Sequence, residues 1–144
     1  MSEPVIHRGS ARWSHDQTFV GTDNQQRAIV FDTDNDGRIQ HGHQPYQLFL
    51  AATAACTGMD VVLVLTKKRQ PLRGLTVEVR GTKAEEYPRR YLAIHVIYTV
   101  SGAVEREAAD RAIDLSMTKY CPALATFRAA GAAITHELII VPGT

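Results

Sequence analysis

The chain contains two cysteines, Cys56 and Cys121, and each stands where a thiol could react. Cys56 lies in an almost chargeless run, Ala55-Cys56-Thr57-Gly58-Met59-Asp60, and Cys121 directly precedes a proline in Lys119-Tyr120-Cys121-Pro122. Two thiols remote in sequence act as attacking and resolving partners only when the fold brings them together. A cysteine in an apolar helix is by default a small hydrophobe, inert because burial raises its pKa. Cys121 is placed differently: ahead of Pro122 it occupies the N-cap or N′ position of a helix, where the backbone dipole favours a thiolate. In a reducing compartment a lone cysteine pair reads as catalytic, redox-sensing or inert rather than as a structural disulfide.

Other groups carry weaker chemistry. Asp32-Thr33-Asp34-Asn35-Asp36-Gly37 matches the first half of a calcium loop, in which alternating carboxylates supply ligands and the glycine allows a sharp turn. The twelfth position, which needs a glutamate, is His43, and a strand rather than a helix precedes the loop, so a solvated turn is expected. His41 and His43 form an isolated pair, and the cysteines lack zinc-ligand spacing, so no metal is expected. His95 and His136 fall in strands, as packing or hydrogen-bonding groups. There is neither a glycine-rich phosphate loop nor a Gly-x-Ser-x-Gly elbow, and no cofactor is expected.

The 144 residues carry a formal charge of +1, with 44% hydrophobic and 22% charged residues, which fits a single domain over residues 1–144. That balance gives no electrostatic basis for nucleic-acid binding. Lys67, Lys68 and Arg69 follow a long apolar run and complement a helix C-terminal dipole. Met1 to Gly9 has no apolar signal region, which points to the cytoplasm. Tyr46 to Leu65 has about the ~20 residues of a membrane span. Gln47, Thr53, Thr57 and Asp60 argue against a membrane, because a carboxylate within a bilayer is costly. The segment reads instead as a helix buried on nearly all sides, with a partner subunit covering part of it.

The elements that must position the thiols follow from pattern. Val5 to Val20 reads as one or two strands anchored by Trp13 and Phe19, and Ala28 to Phe31 as another, before a turn-rich stretch from Asp32 to His43. Pro45 opens the long helix, which runs to about Arg69 and is stopped by Pro71 and Gly74. Leu75 to Arg80 alternates as a half-buried strand and pairs with Tyr91 to Val100 in a hairpin across Tyr87 and Pro88. Val104, Ala108, Ala112 and Leu115 recur at helical spacing to about Lys119. Cys121-Pro122 interrupts them, Ala123 to Ala130 restarts a helix that Gly131 ends, and Ile134 to Val141 is the last strand. The class is α+β.

Two stretches make the chain recognisable. Gln44-Pro45-Tyr46-Gln47-Leu48-Phe49-Leu50-Ala51-Ala52 leads into Ala55-Cys56-Thr57-Gly58-Met59-Asp60-Val61-Val62, and Arg111-Ala112-Ile113-Asp114-Leu115-Ser116 leads into Lys119-Tyr120-Cys121-Pro122. With the order of elements, they resemble the OsmC/Ohr family of osmotically inducible and organic hydroperoxide resistance proteins, and within it the YhfA-like branch. The resemblance implies an intertwined homodimer with a long central helix packed between antiparallel sheets and two sites at the subunit interface. It also implies that Cys56 attacks a small-molecule organic hydroperoxide and becomes a sulfenic acid, that Cys121 closes a disulfide with it, and that an external dithiol restores both thiols.

Two departures from the family pattern matter. The family's glutamate just after the helix-opening proline is replaced by Tyr46 and Gln47, and Gln17, Thr18 and Phe19 stand where its activating arginine is expected. Gln47, Arg12 and Arg27 are the supporting candidates, with Arg89 or Arg90 as entrants from the hairpin. An unpaired Cys56 would be up to ~1000-fold less ionised than an arginine-paired one. Asp60, one turn beyond Cys56, would oppose a thiolate by its like charge. The alternatives are a binding protein for a small hydrophobic molecule, or a redox sensor, on the same scaffold.

Overall fold

Residues 3–33 and 41–143 are described by a computed structural model, in the order β1 (Ser10–His15), β2 (Thr18–Thr22), β3 (Ala28–Phe31), α1 (Pro45–Lys67), β4 (Leu72–Lys83), β5 (Tyr91–Gly102), α2 (Arg106–Leu115), a π-helical turn (Ser116–Tyr120), α3 (Pro122–Ala129) and β6 (Ala133–Val141). The class is α+β, as expected. Two compact units contain these elements, Met1–Phe49 and Leu50–Thr144, and α1 crosses from one to the other.

The first unit is an antiparallel meander, β1-β2-β3, with an irregularity between Trp13 and His15. Trp13 and Phe19 do not anchor it: Trp13 is 62% exposed and Phe19 is also exposed, because β1 presents no buried face in the single chain. Val5 and Ile6 are exposed and lie outside the strands. Asp32 corrects the reading of a solvated turn. It is only 1% exposed, and its carboxylate accepts from Thr18 Oγ1 at 3.0 Å, Thr33 N at 2.7 Å and His41 N at 3.2 Å. Such bonds offset the desolvation of a buried carboxylate. Asp34, Asn35, Asp36 and Gly37 of the calcium-like run lie outside the described residues.

The second unit is built on the sheet β4-β5-β6. Alternation makes β5 its centre: Ile94, Val96, Tyr98 and Val100 are fully buried, each contributing roughly 1.5–3 kcal/mol if its burial resembles that of a large apolar side chain. The expected hairpin pairs β4 with β5 antiparallel, Leu75 opposite Val100. β6 departs from the antiparallel expectation and runs parallel to β5, Tyr98 opposite Leu138. Parallel neighbours need a long crossover, and α2, the π turn and α3 supply it.

Pro45 starts α1 as expected. Its end is a Schellman closure. Arg69 adopts a left-handed φ of 56°, Arg69 N donates to Thr66 O and Gln70 N donates to Leu65 O, both at 3.0 Å. Gly74 therefore does not stop the helix; it sits at a bulge in β4, where a Cβ would lie 2.6 Å from Ser101 Oγ. Within the single chain α1 is buried along one stripe, Thr53, Thr57, Gly58, Val61 and Leu65, rather than on nearly all sides. By length and composition α1 passes for a membrane span.

Candidate functional site

Cys121 is held by the start of α3. Its backbone is extended, Pro122 follows at the first helical position, and its sulfur accepts from Leu124 N at 3.4 Å, so the cap read from Cys121-Pro122 is formed. The π turn delivers it there: Cys121 N donates to Ser116 O at 2.9 Å, a bond one residue longer than an α-helical one. Cys56 is half-buried on α1, next to the fully buried Thr57. The two thiols act on one another: Cys56 is among the groups that raise the Cys121 pKa, and both cysteines are free thiols.

The cap favours a Cys121 thiolate, as expected, but burial outweighs it. Burial pushes its pKa up to about 11; the Leu124 and Ala123 N–H groups pull it down, and Cys56 adds to the rise. At neutral pH the thiolate fraction is then on the order of 10⁻⁴. Desolvation outweighs the helix terminus because Cys121 is only 3% exposed.

A buried polar cluster joins α1, β5 and the π turn. Thr57 Oγ1 lies 2.6 Å from Tyr98 Oη and 2.7 Å from Ser116 Oγ, and Ser116 Oγ donates to Asp60 Oδ2 at 2.8 Å. Burial raises the Tyr98 pKa to about 12; Thr57 opposes the rise, and the charges of Cys121 and Asp60 add to it. Asp60, expected to act against the Cys56 thiolate, thus has its carboxylate bonded to Ser116.

Tyr98, Ser116 and Thr57 were not picked out as site residues from sequence. The available signal was a tyrosine at an inward position of β5 among Ile94, Val96 and Val100. Thr57 and Ser116 give no comparable sign, since a lone hydroxyl in an apolar run is ordinary.

The supporting candidates are engaged elsewhere or lie in the first unit. Gln47 Nε2 donates to Gln44 Oε1 at 2.8 Å, Arg12 is exposed on β1, and Arg27 pairs with Asp23 at 2.8 Å and bonds Gln25. Arg89 stacks over the Tyr87 ring at 4.4 Å, and Arg90 donates to Ala130 O at 3.3 Å. No cation is among the groups that shift Cys121. Among the described residues no three His, Cys, Asp or Glu side chains gather as a metal site.

Two open grooves flank α1 in the second unit. One, of about 600 Å³, is lined by Ala55, Gly58, Met59, Val62, Leu63 and Val77. The other, of about 530 Å³, is lined by Asp60, Lys67, Lys68, Leu115 and Tyr120, among others.

Residues 35–137 match the OsmC-like protein family. Protein YhfA of Escherichia coli is 30% identical over 131 residues, covering 90% of this chain and 95% of its own length. A hypothetical protein from Aquifex aeolicus superposes with a TM-score of 0.81 at 27% identity, over 96% of this chain and 99% of that one. The organic hydroperoxide resistance protein OhrB of Bacillus subtilis shares the fold at 17% identity, with a TM-score of 0.62 over 95% and 98% of the two chains. By its family match and its likeness to YhfA, this chain belongs to the OsmC/Ohr family.

Proposed function

We propose that the chain is a thiol-dependent reductase of organic hydroperoxides. Cys56, as thiolate, attacks the peroxide; the O–O bond breaks, the alcohol leaves with a proton, and Cys56 becomes a sulfenic acid. Cys121 then attacks that sulfur, the S–S bond forms and water departs. An external dithiol reduces the bridge by exchange and is itself oxidised to a disulfide.

The observation that carries this reading is that Cys56, half-buried, is among the groups that raise the pKa of the buried Cys121. The division suits the roles: the accessible sulfur meets the substrate, and the protonated one waits as resolver. Family membership supports a redox role, and the burial of Cys121 with the half-burial of Cys56 favours an organic over a strongly hydrated peroxide. In this reading the whole chain works as one domain, in the cytosol, as a homodimer whose partner covers the exposed apolar residues of α1 and completes the site.

The test is consumption of an alkyl hydroperoxide with dithiothreitol as donor. Wild type is expected to turn over, Cys56→Ser to be inactive, and Cys121→Ser to accumulate a sulfenic acid trapped by dimedone. Equal rates for wild type and Cys56→Ser would sink the proposal. The replacement of the family's glutamate by Tyr46 and Gln47, with Arg27, Arg89 and Arg90 engaged by other partners, favours a second reading, a binding protein for a small hydrophobic molecule. Native mass spectrometry then finds a ligand retained through purification, without turnover.

A further inference from the structure

On the sheet face opposite to Ile94, Val96 and Tyr98, three polar side chains of β5 and β6 stand in series. His95 lies directly across from Thr135 in the parallel ladder, and Glu137 follows two residues along the same face. His95 Nδ1 is 2.7 Å from Thr135 Oγ1, and its Nε2 is 3.1 Å from Glu137 Oε1. Arg80, opposite His95 on β4, is paired with Glu78 at 2.9 Å, which leaves Glu137 to the histidine.

The chemistry of the groups directs their hydrogens. An ionised carboxylate only accepts, so Nε2 carries the imidazole hydrogen and donates it to Glu137. In the neutral ring Nδ1 is then bare, and Thr135 Oγ1 donates to it. A hydroxyl is thus bonded to a base whose other nitrogen is oriented by a carboxylate. That is the order of roles that activates a hydroxyl nucleophile, with the two ring nitrogens exchanged relative to the Ser-His-Asp arrangement. His95 is half-buried, whereas Thr135 and Glu137 are exposed, so the hydroxyl is open to a reagent. Exposed polar pairs add little to stability. What this series fixes is a tautomer.

We propose that Thr135 is an acyl-accepting nucleophile for small activated esters, with His95 as its general base and Glu137 as the residue that positions the base. Thr135 Oγ1 bonds to the ester carbonyl carbon as its proton passes to His95 Nδ1. The bond from that carbon to the leaving oxygen then breaks, and the leaving group departs with the bonding electrons and takes the proton from His95. Thr135 ends as an ester, the alcohol or phenol is released, and nothing is oxidised or reduced. No thiol takes part, so this site stands or falls apart from the reductase reading.

The test is p-nitrophenyl acetate on the wild-type full chain, followed by tryptic digestion and mass spectrometry. Cleavage after Arg128 releases residues 129–144, which carry Thr135. Thr126 and Thr118 are exposed controls in the same molecule, because their hydroxyls donate to the Pro122 and Asp114 carbonyls rather than to a base. Thr135 is expected to acquire the acetyl group about tenfold or more faster than either. His95→Gln, which keeps a hydrogen-bonding side chain, is expected to slow that labelling by about tenfold or more. Glu137→Gln slows it less, and Glu137→Asp restores part of the loss.

Nitrogen NMR adds a signature that a structural role would not move: neutral His95 holds its hydrogen on Nε2 in wild type and becomes a mixture of tautomers in Glu137→Gln. Labelling of Thr135 no faster than that of Thr126, an undiminished rate in His95→Gln, or an acetyl group found on His136 instead of Thr135 overturns the proposal. The comparison with Thr126 needs no variant, so it decides even where a substitution unfolds the chain.

Discussion

Leu124 N–H donates to the Cys121 sulfur, a capping bond that stabilises a thiolate, yet burial of the same side chain outweighs it and lifts the pKa to about 11. The sign of the pH dependence follows. The folded state holds the proton more tightly than the unfolded chain, whose thiol titrates near 9.0, so this contribution to stability is complete below pH 9 and is lost as pH rises towards 11. Tyr98, raised from 10.0 to about 12, acts in the same direction over a higher window. In Cys56→Ser, iodoacetamide alkylation of Cys121 is expected to accelerate about tenfold per pH unit up to roughly its raised pKa. A plateau at or below pH 9 contradicts the desolvation argument. Both cysteines are legible as reactive candidates from residue type and neighbours, but the balance between cap and burial at Cys121 is not, since burial is a property of the packed core.

Five residues of π-helix, Ser116–Tyr120, are the element on which the site turns. Apolar spacing reads as a continuous helix to about Lys119, because shifting hydrogen bonds from i→i+4 to i→i+5 leaves no mark in composition. The shift is nevertheless what turns Ser116 inward to Thr57 and Asp60 and places Cys121 at the start of α3. Arg128 Nη2 braces the turn by donating to Met117 O at 2.5 Å, and Thr118 Oγ1 donates to Asp114 O at 2.7 Å. Replacing Ser116 by alanine leaves Thr57 and Asp60 each short of a partner, and the expected cost is about 1–3 kcal/mol in urea unfolding. Ser116→Thr, which keeps the hydroxyl, is expected to recover part of it. A Ser116→Ala variant as stable as wild type would show that the bonds carry no weight. The closures of α1 and α3 were partly legible: Gly131, with φ of 94°, ends α3 as read, whereas Arg69 in the left-handed region takes the role assigned to Pro71 and Gly74.

At the scale of the molecule, α1 leaves Met59 70% and Leu63 55% exposed, with Phe49 and Val62 also exposed and an open groove of about 600 Å³ beside them. Contiguous apolar surface of this kind marks an interface. On the proposed homodimer, Met59→Glu with Leu63→Glu is expected to halve the mass measured by light scattering, because two carboxylates cannot be desolvated without partners. A wild type that is itself monomeric at tens of micromolar rules the homodimer out. By itself the sequence determined the α+β class, the element order, the start of α1, the hairpin and the two thiols worth watching, because these follow from local periodicity, proline and glycine chemistry and residue type. Only the tertiary structure decided that Cys56 acts on Cys121, that burial raises the Cys121 pKa, that β6 runs parallel to β5, and that Tyr98, Thr57, Ser116 and Asp60 share one line. Each of these depends on burial or on pairing between residues remote in sequence, and neither is written in the spacing of any single segment.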